Sequence, residues 1–301
     1  MNWSDHQSYI EIVPPPEFSY KECFVYLDRS KQENLHQIHN ERLIKLISID
    51  GTPILLIISF VELMIRVDFP LGIPSAHARS AVASYVWDLF DLDTNLSQFY
   101  EQAVQDSILQ PLVNRYYGLR IVQISDLFEA LTWAIMGQQI NLTFAYTLKS
   151  RFVERFGESL TFGDDVYWLF PTYDRIAQLN IDELREMQFT SRKAEYVIGV
   201  AKEMCSGNLS RESLLAMKDP KLIHQALTSI RGIGAWTADY VMMKCLHNTS
   251  AFPITDVGLH NALKLQLEMD RKPTLDEIKQ YAAHWDGWQA YATFYLWRSL
   301  L

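Results

Sequence analysis

The sequence predicts an α+β N-terminal domain, an antiparallel sheet with helices, followed by an all-helical region. Three observations carry this. Between Tyr9 and Phe69 the chain runs in short stretches rich in Ile, Val, Leu, Phe and Tyr, separated by turn residues, which is the texture of strands. Asp50-Gly51 sits between the apolar runs Leu43–Ile49 and Ile54–Phe60, and that dipeptide accepts the left-handed backbone of a two-residue hairpin. Beyond Pro70 and Pro74 the apolar period lengthens: Ala78, Val82, Tyr85, Val86 and Leu89 fall on one face of a helix. The boundary is placed near residue 118, giving a domain over 1–118 and a helical region over 119–301, the latter divided into two subdomains with a cleft between them.

Taken in order, Pro14, Pro15 and Pro16 break the first strand run, since proline cannot donate to a ladder. Asp126 followed three positions later by Glu129 has the pattern of a capping box, opening a long apolar-periodic helix through Leu131, Ile135 and Leu142 with a bend at Gly137. Further helices are expected over Ser191–Cys205, terminated by Gly207, and over 219–229, 235–246, 256–267, 274–283 and 288–299. There is no tandem repeat and no low-complexity tract.

With 301 residues, 49% of them hydrophobic, the chain can bury a full core. Its most apolar stretch, Ile54–Met64, contains Glu62 and is too short to span a bilayer, which takes about 20 apolar residues. The first residues carry neither a basic nor an apolar region of a secretory signal, so a cytoplasmic location and no membrane partner are expected. Cys23, Cys205 and Cys245 are odd in number and widely spaced, which fits reduced thiols and offers no spacing for zinc or an iron–sulfur cluster. The net charge of −9 is opposite to that of most nucleic-acid-binding domains, so any such reading must come from a local motif rather than from composition.

That motif lies at residues 227–238, Leu-Thr-Ser-Ile-Arg-Gly-Ile-Gly-Ala-Trp-Thr-Ala. A helix, a Gly-Ile-Gly turn and a second helix starting at Ala235 form a helix-hairpin-helix. Gly232 and Gly234 let backbone approach a phosphate, and the helix opening at Ala235 presents free N–H groups to it. One helix and one loop later, Pro253-Ile-Thr-Asp256 sets a carboxylate at the start of another helix. By itself the turn also fits any all-α protein, and Asp256 by itself also fits a simple helix cap.

Together with Met136-Gly-Gln-Gln-Ile140 and Trp288-Gln-Ala-Tyr-Ala-Thr-Phe-Tyr-Leu-Trp297, these motifs resemble the helix-hairpin-helix DNA glycosylase superfamily, and within it the AlkA type, DNA-3-methyladenine glycosylase II. The resemblance runs along nearly the whole chain. It implies that double-stranded DNA containing alkylated bases is the partner and that Asp256 is the catalytic carboxylate. It implies a base pocket of Trp236, Tyr240 and Trp297, and a DNA wedge at Gln139, where the AlkA type commonly has leucine. Where bifunctional members carry a nucleophilic lysine, this chain has Trp236, which implies hydrolysis without strand cleavage. It further implies a monovalent cation, Na+ or K+, on the main-chain carbonyls of Thr228, Ile230 and Ile233. No organic cofactor is expected, and a monomer is the simplest assembly.

The chemistry agrees with one carboxylate. A base such as N3-methyladenine is cationic and leaves as a neutral molecule, so the transition state mainly needs help at the sugar, where positive charge develops. Arg192 and Lys193, at the start of a helix, are further candidates for phosphate contacts. Two alternatives stay open: a glycosylase for a neutral deaminated or oxidised purine, which would want an added acid such as His260 or Tyr295, and a non-enzymatic lesion sensor using the hairpin as a clamp.

Overall fold

Strands β1 (Trp3–Asp5), β2 (Tyr9–Ile12), β3 (Gln37–His39), β4 (Arg42–Ile49), β5 (Thr52–Val61) and β6 (Met64–Asp68) form one antiparallel sheet, ordered β1-β2-β6-β5-β4-β3, in a computed structural model describing residues 1–301. The expected hairpin is its β5–β4 pair. Ile49 pairs with Thr52, and Asp50 (φ 51°) and Gly51 (φ 76°) take the two left-handed positions that a tight turn requires.

Helix α1 (Tyr20–Leu27) corrects the expectation of strands throughout 9–69. Its buried residues, Tyr20, Cys23, Tyr26 and Leu27, follow helical spacing, and the Ser19 hydroxyl accepts the Glu22 N–H as a cap. The remaining helices are α2 (Ala76–Leu89), α3 (Ser97–Ala103), α4 (Leu109–Arg115), α5 (Leu127–Gly137), α6 (Leu142–Phe156), α7 (Tyr173–Ala177), α8 (Ile181–Arg185), α9 (Ser191–Cys205), α10 (Arg211–Ala216), α11 (Pro220–Thr228), α12 (Ala235–Cys245), α13 (Val257–Gln266), α14 (Leu275–Tyr281) and α15 (Gln289–Arg298). No helix is long and apolar enough to cross a membrane.

Two more corrections fall in the helical region. The helix expected to bend at Gly137 and continue through Leu142 instead ends at Gly137. A new helix starts after Asn141, whose side chain accepts the Phe144 N–H at 2.8 Å. Gln139 stands between them with φ 57°, a conformation no helix accommodates. Residues 158–169 form a second hairpin, β7 (Glu158–Phe162) with β8 (Asp165–Leu169), turned at Gly163 (φ 63°). Tyr167 of this hairpin packs on the Leu46–Leu55 cross-strand pair, flanked by Ile44, Leu160, Phe162 and Leu169. Cover on this face explains why β5 buries Ile54, Leu55 and Leu56 in succession rather than in alternation.

The chain forms two compact units, each assembled from separate stretches. The first comprises 1–16, 30–89 and 128–209, and the second 17–29, 90–127 and 210–301; residue 118 lies within the second. In the first unit, Glu33 clasps Lys149 of α6 with both carboxylate oxygens at 2.9 Å, while Gln32 and Asn34 bond to Thr147 and Ser150 on the same helix. Both members of the ion pair are buried, and Lys149 holds the Glu33 carboxyl below its ordinary range although burial pushes it the other way.

The second unit is centred on α15, whose residues Ala290 to Leu296 are all buried. The Tyr291 hydroxyl donates to buried Asp91, which also receives His247 Nδ1 at 2.7 Å. Arg120, wholly buried, donates to Glu17 at 2.6 Å and to the carbonyls of Asp91 and Thr94.

Candidate active site

The helix-hairpin-helix forms as the sequence predicts. After α11 the chain turns at Gly232, whose φ of 96° favours glycine, and buried Ile233 anchors the turn. Gly234 needs another reason. Its backbone is extended and an added Cβ would meet no protein atom, so neither conformation nor packing demands glycine. Glycine at the N-cap puts no side chain in front of α12, and no side-chain cap closes that helix end.

Asp256 is the N-cap of α13. Its Oδ1 accepts the Leu259 N–H at 2.7 Å and the Trp297 indole N–H at 2.8 Å, and Oδ2 accepts the Trp236 indole N–H at 3.0 Å. Two tryptophans and a helix end thus fix both oxygens. All three donors are neutral, and Asp256 forms no salt bridge, so its negative charge is oriented without being neutralised. Of about four lone-pair directions on a carboxylate, one remains on Oδ2. The loop beneath is held by the Asp256 N–H on the Pro253 carbonyl at 2.8 Å and by His260 Nε2 donating to the Ile254 carbonyl at 2.8 Å.

The aromatic residues named from the sequence come together here. Trp236 and Tyr240 are one turn apart on α12 with ring centroids 5.6 Å apart, and Tyr240 lies 6.2 Å from Trp297. Trp236 and Trp297 are partly exposed while Tyr240 is buried. Sequence motifs present these rings as a surface for a base; only the fold reveals that the two indole N–H groups also grip Asp256.

Gly258 is a further part of the site that the motifs do not name. A Cβ at this position would stand 2.9 Å from Asp256 Oδ1 and 3.0 Å from Trp297 Nε1, so only glycine leaves room for that hydrogen bond. A signal was present, because glycine inside a first helical turn costs about 1 kcal/mol against alanine and calls for a reason.

Asp239, on α12 beside Tyr240, accepts the Phe252 N–H and lies 3.8 Å from His224. Burial pushes its carboxyl up to about 6, against the opposing pull of His224 and the Phe252 N–H. Since Asp239 binds its proton more tightly folded than unfolded, ionising it opposes folding. The stability from this group is full below the unfolded value of 3.8 and declines as pH rises through 6. Asp239→Asn, which can still accept from Phe252, is expected to stabilise the protein at pH 8 by about 1–3 kcal/mol. The gain in Tm over the parent should close as pH approaches 4; thermal melts at both pH values check this.

Gln139 is exposed at its left-handed position in the first unit. Arg192 is exposed as well. Lys193 is not: it is buried, and its ammonium donates to the Met136 carbonyl at 2.7 Å, which removes it as a phosphate contact.

Residues 132–286 match the family described as HhH-GPD superfamily base excision DNA repair protein. The chain belongs to this superfamily. Residues 11–131 match the family described as 8-oxoguanine DNA glycosylase, N-terminal domain. Over its whole length the chain is 43% identical to the whole of a Bacillus subtilis protein named DNA-3-methyladenine glycosylase. Among solved structures, the 3-methyladenine DNA-glycosylase from Archaeoglobus fulgidus superposes with a TM-score of 0.82 at 23% identity, covering 95% of this chain and 97% of that one. A Clostridium acetobutylicum 8-oxoguanine glycosylase/lyase bound to double-stranded DNA superposes with a TM-score of 0.76 at 18% identity, covering 99% and 97%. These two likenesses establish the fold.

Proposed function

We propose that this member of the superfamily is a monofunctional DNA N-glycosylase that flips alkylated purines, N3-methyladenine and N7-methylguanine, out of duplex DNA and hydrolyses their bond to deoxyribose. The observation that carries the reading is Asp256, oriented by two indole N–H groups and left without a cationic partner. A fixed negative charge beside C1′ stabilises the positive charge that builds there as the C1′–N bond breaks. The remaining direction on Oδ2 accepts a proton of the attacking water, whose oxygen bonds to C1′. The methylated base leaves as a neutral molecule, and an abasic site remains.

Trp236, Tyr240 and Trp297 supply electron-rich faces, and a cationic base gains about 0.5–2 kcal/mol from each good contact. His260 and Tyr295 supply no acid for a neutral base: the His260 N–H is on the Ile254 carbonyl, and Tyr295 is buried with its hydroxyl on the Leu119 carbonyl. This favours alkylated over deaminated purines. Trp236 cannot form a Schiff base, and Lys244, on the same helix, is buried with its ammonium on the Val122 carbonyl, so no strand cleavage follows base release. The Bacillus relative's name supports the same substrate.

Gln139, protruding on a left-handed residue, fills the gap left by the flipped nucleotide. Gly232, Gly234 and Ala235 bring backbone N–H groups to a phosphate. The carbonyls of Thr228, Ile230 and Ile233 are neutral oxygen donors suited to a hard monovalent cation, though the Ile230 carbonyl also accepts the Ile233 N–H at 3.1 Å. Such an ion would supply one positive charge beside that phosphate.

The test is base release from dimethyl-sulfate-treated duplex DNA. Methylated purines are expected in solution, with strands intact until alkali is added. Release of 8-oxoguanine or hypoxanthine without methylated purines would replace the substrate, a possibility to which the N-terminal family match gives weight. Strand cleavage without alkali would replace the mechanism.

A further inference from the structure

Lys193 has no part in the chemistry above, yet it is buried, and desolvation lowers its affinity for its proton. An ammonium is held in such a place only when something compensates its dehydration. The compensation is the Met136 carbonyl, in the last turn of α5. The final carbonyls of a helix lack partners in their own helix, Met136 is itself fully buried, and a cation at a helix C-terminus is favoured by the aligned peptide dipoles. Three residues after this carbonyl comes Gln139 with its φ of 57°, and two residues further on, Asn141 caps α6. The Gln139 turn is therefore held at both ends, by Asn141 on the α6 side and by Lys193 on the α5 side. Lys193 is in turn fixed in the first turn of α9, where its own N–H donates to the Thr190 hydroxyl at 3.2 Å.

We propose that Lys193 is a positioning residue for DNA interrogation: by holding the end of α5 through Met136 it fixes the turn that presents Gln139, and so governs flipping from duplex DNA rather than bond cleavage. The inference rests on the reading of Gln139 as the gap-filling residue. It also gives α9 a part in flipping, exerted by Lys193 through the Met136 carbonyl rather than through a phosphate.

Single-stranded substrate separates positioning from chemistry, because a base that is already unpaired and unstacked needs little help to leave the helix. Lys193→Met is expected to slow single-turnover release of N3-methyladenine from duplex DNA about tenfold, the order expected for one charge-assisted hydrogen bond, and from methylated single strands by less than twofold. Gln139→Ala should show the same duplex-selective loss, and adding Lys193→Met to it should cost less than a further twofold. Lys193→Arg, which keeps a cation within reach of the carbonyl, should recover most of the duplex rate. Equal loss on both substrates, or full multiplication of the two losses in the double variant, would overturn the proposal while leaving the Gln139 reading intact. No duplex-selective loss in Gln139→Ala would remove that reading and this inference with it. If Lys193→Met does not fold, Lys193→Gln serves in the same comparisons, with about a threefold loss expected.

Discussion

Asp256→Asn is expected to reduce single-turnover release of N3-methyladenine by at least about 100-fold, the scale of losing one preorganised electrostatic group at a reacting centre. The substitution removes the charge and little else. Asparagine caps helices as well as aspartate does and can still accept the Leu259 N–H, so α13 should keep its start. The amide has only one acceptor oxygen, however, and Trp236 and Trp297 approach opposite oxygens, so one indole N–H must face the amide nitrogen. A stability loss of about 1 kcal/mol follows, readable in a thermal melt. Retained folding and DNA binding with lost release would place Asp256 at the chemistry; release within tenfold of the parent would mean that another group stabilises the positive charge at C1′.

The second large effect is expected at Gly258. In Gly258→Ala the new methyl group competes for the space of the Trp297–Asp256 hydrogen bond. The helix gains about 1 kcal/mol of propensity, while the rate constant at saturating DNA should fall about 10- to 100-fold as the carboxylate loses one of its two indole donors. Trp297→Phe removes the same N–H but keeps an aromatic face for the base, so it should lower kcat by a similar factor and change KM little. The two substitutions break one contact, and together they should cost barely more than either alone. Multiplicative losses, or an effect confined to KM, would show that Trp297 acts only as a binding surface.

The hairpin helices, the Asp50-Gly51 turn and the start of α13 at Asp256 were legible because each is set by residues adjacent in sequence. Helix α1 was not, since Tyr20, Phe24 and Tyr26 favour strands by composition, and the burial of Tyr20 and Tyr26 depends on Phe90 and Phe294, far along the chain. The β7–β8 hairpin was missed for a related reason: Gly163 marks a turn, but only the distant Leu46–Leu55 pair makes a place for Tyr167. At the candidate site the residue types were readable while their connections were not. Trp236, Trp297 and Gly258 lie on three helices, and that two of them hold one carboxylate while the third makes room is a statement about space. Lys193 shows the limit most clearly, because the sequence puts it on a helix end facing water and the fold turns it onto a carbonyl 57 residues earlier.

The interleaving of the two units bears on how the protein is made. Helix α1 leaves the ribosome long before α15 is made, yet Tyr26 packs on Phe294 and Glu22 pairs with Arg298, 276 residues later. The second unit therefore cannot close until α15 has been synthesised, whereas the first has all its parts once residue 209 is out. Closing such long loops is slow, and the apolar face of α1 stays uncovered meanwhile. A chain stopped within α15 would leave Tyr26 and Glu22 of α1 without their partners, and cellular quality control would meet it as an unfolded protein rather than as a slightly shortened one.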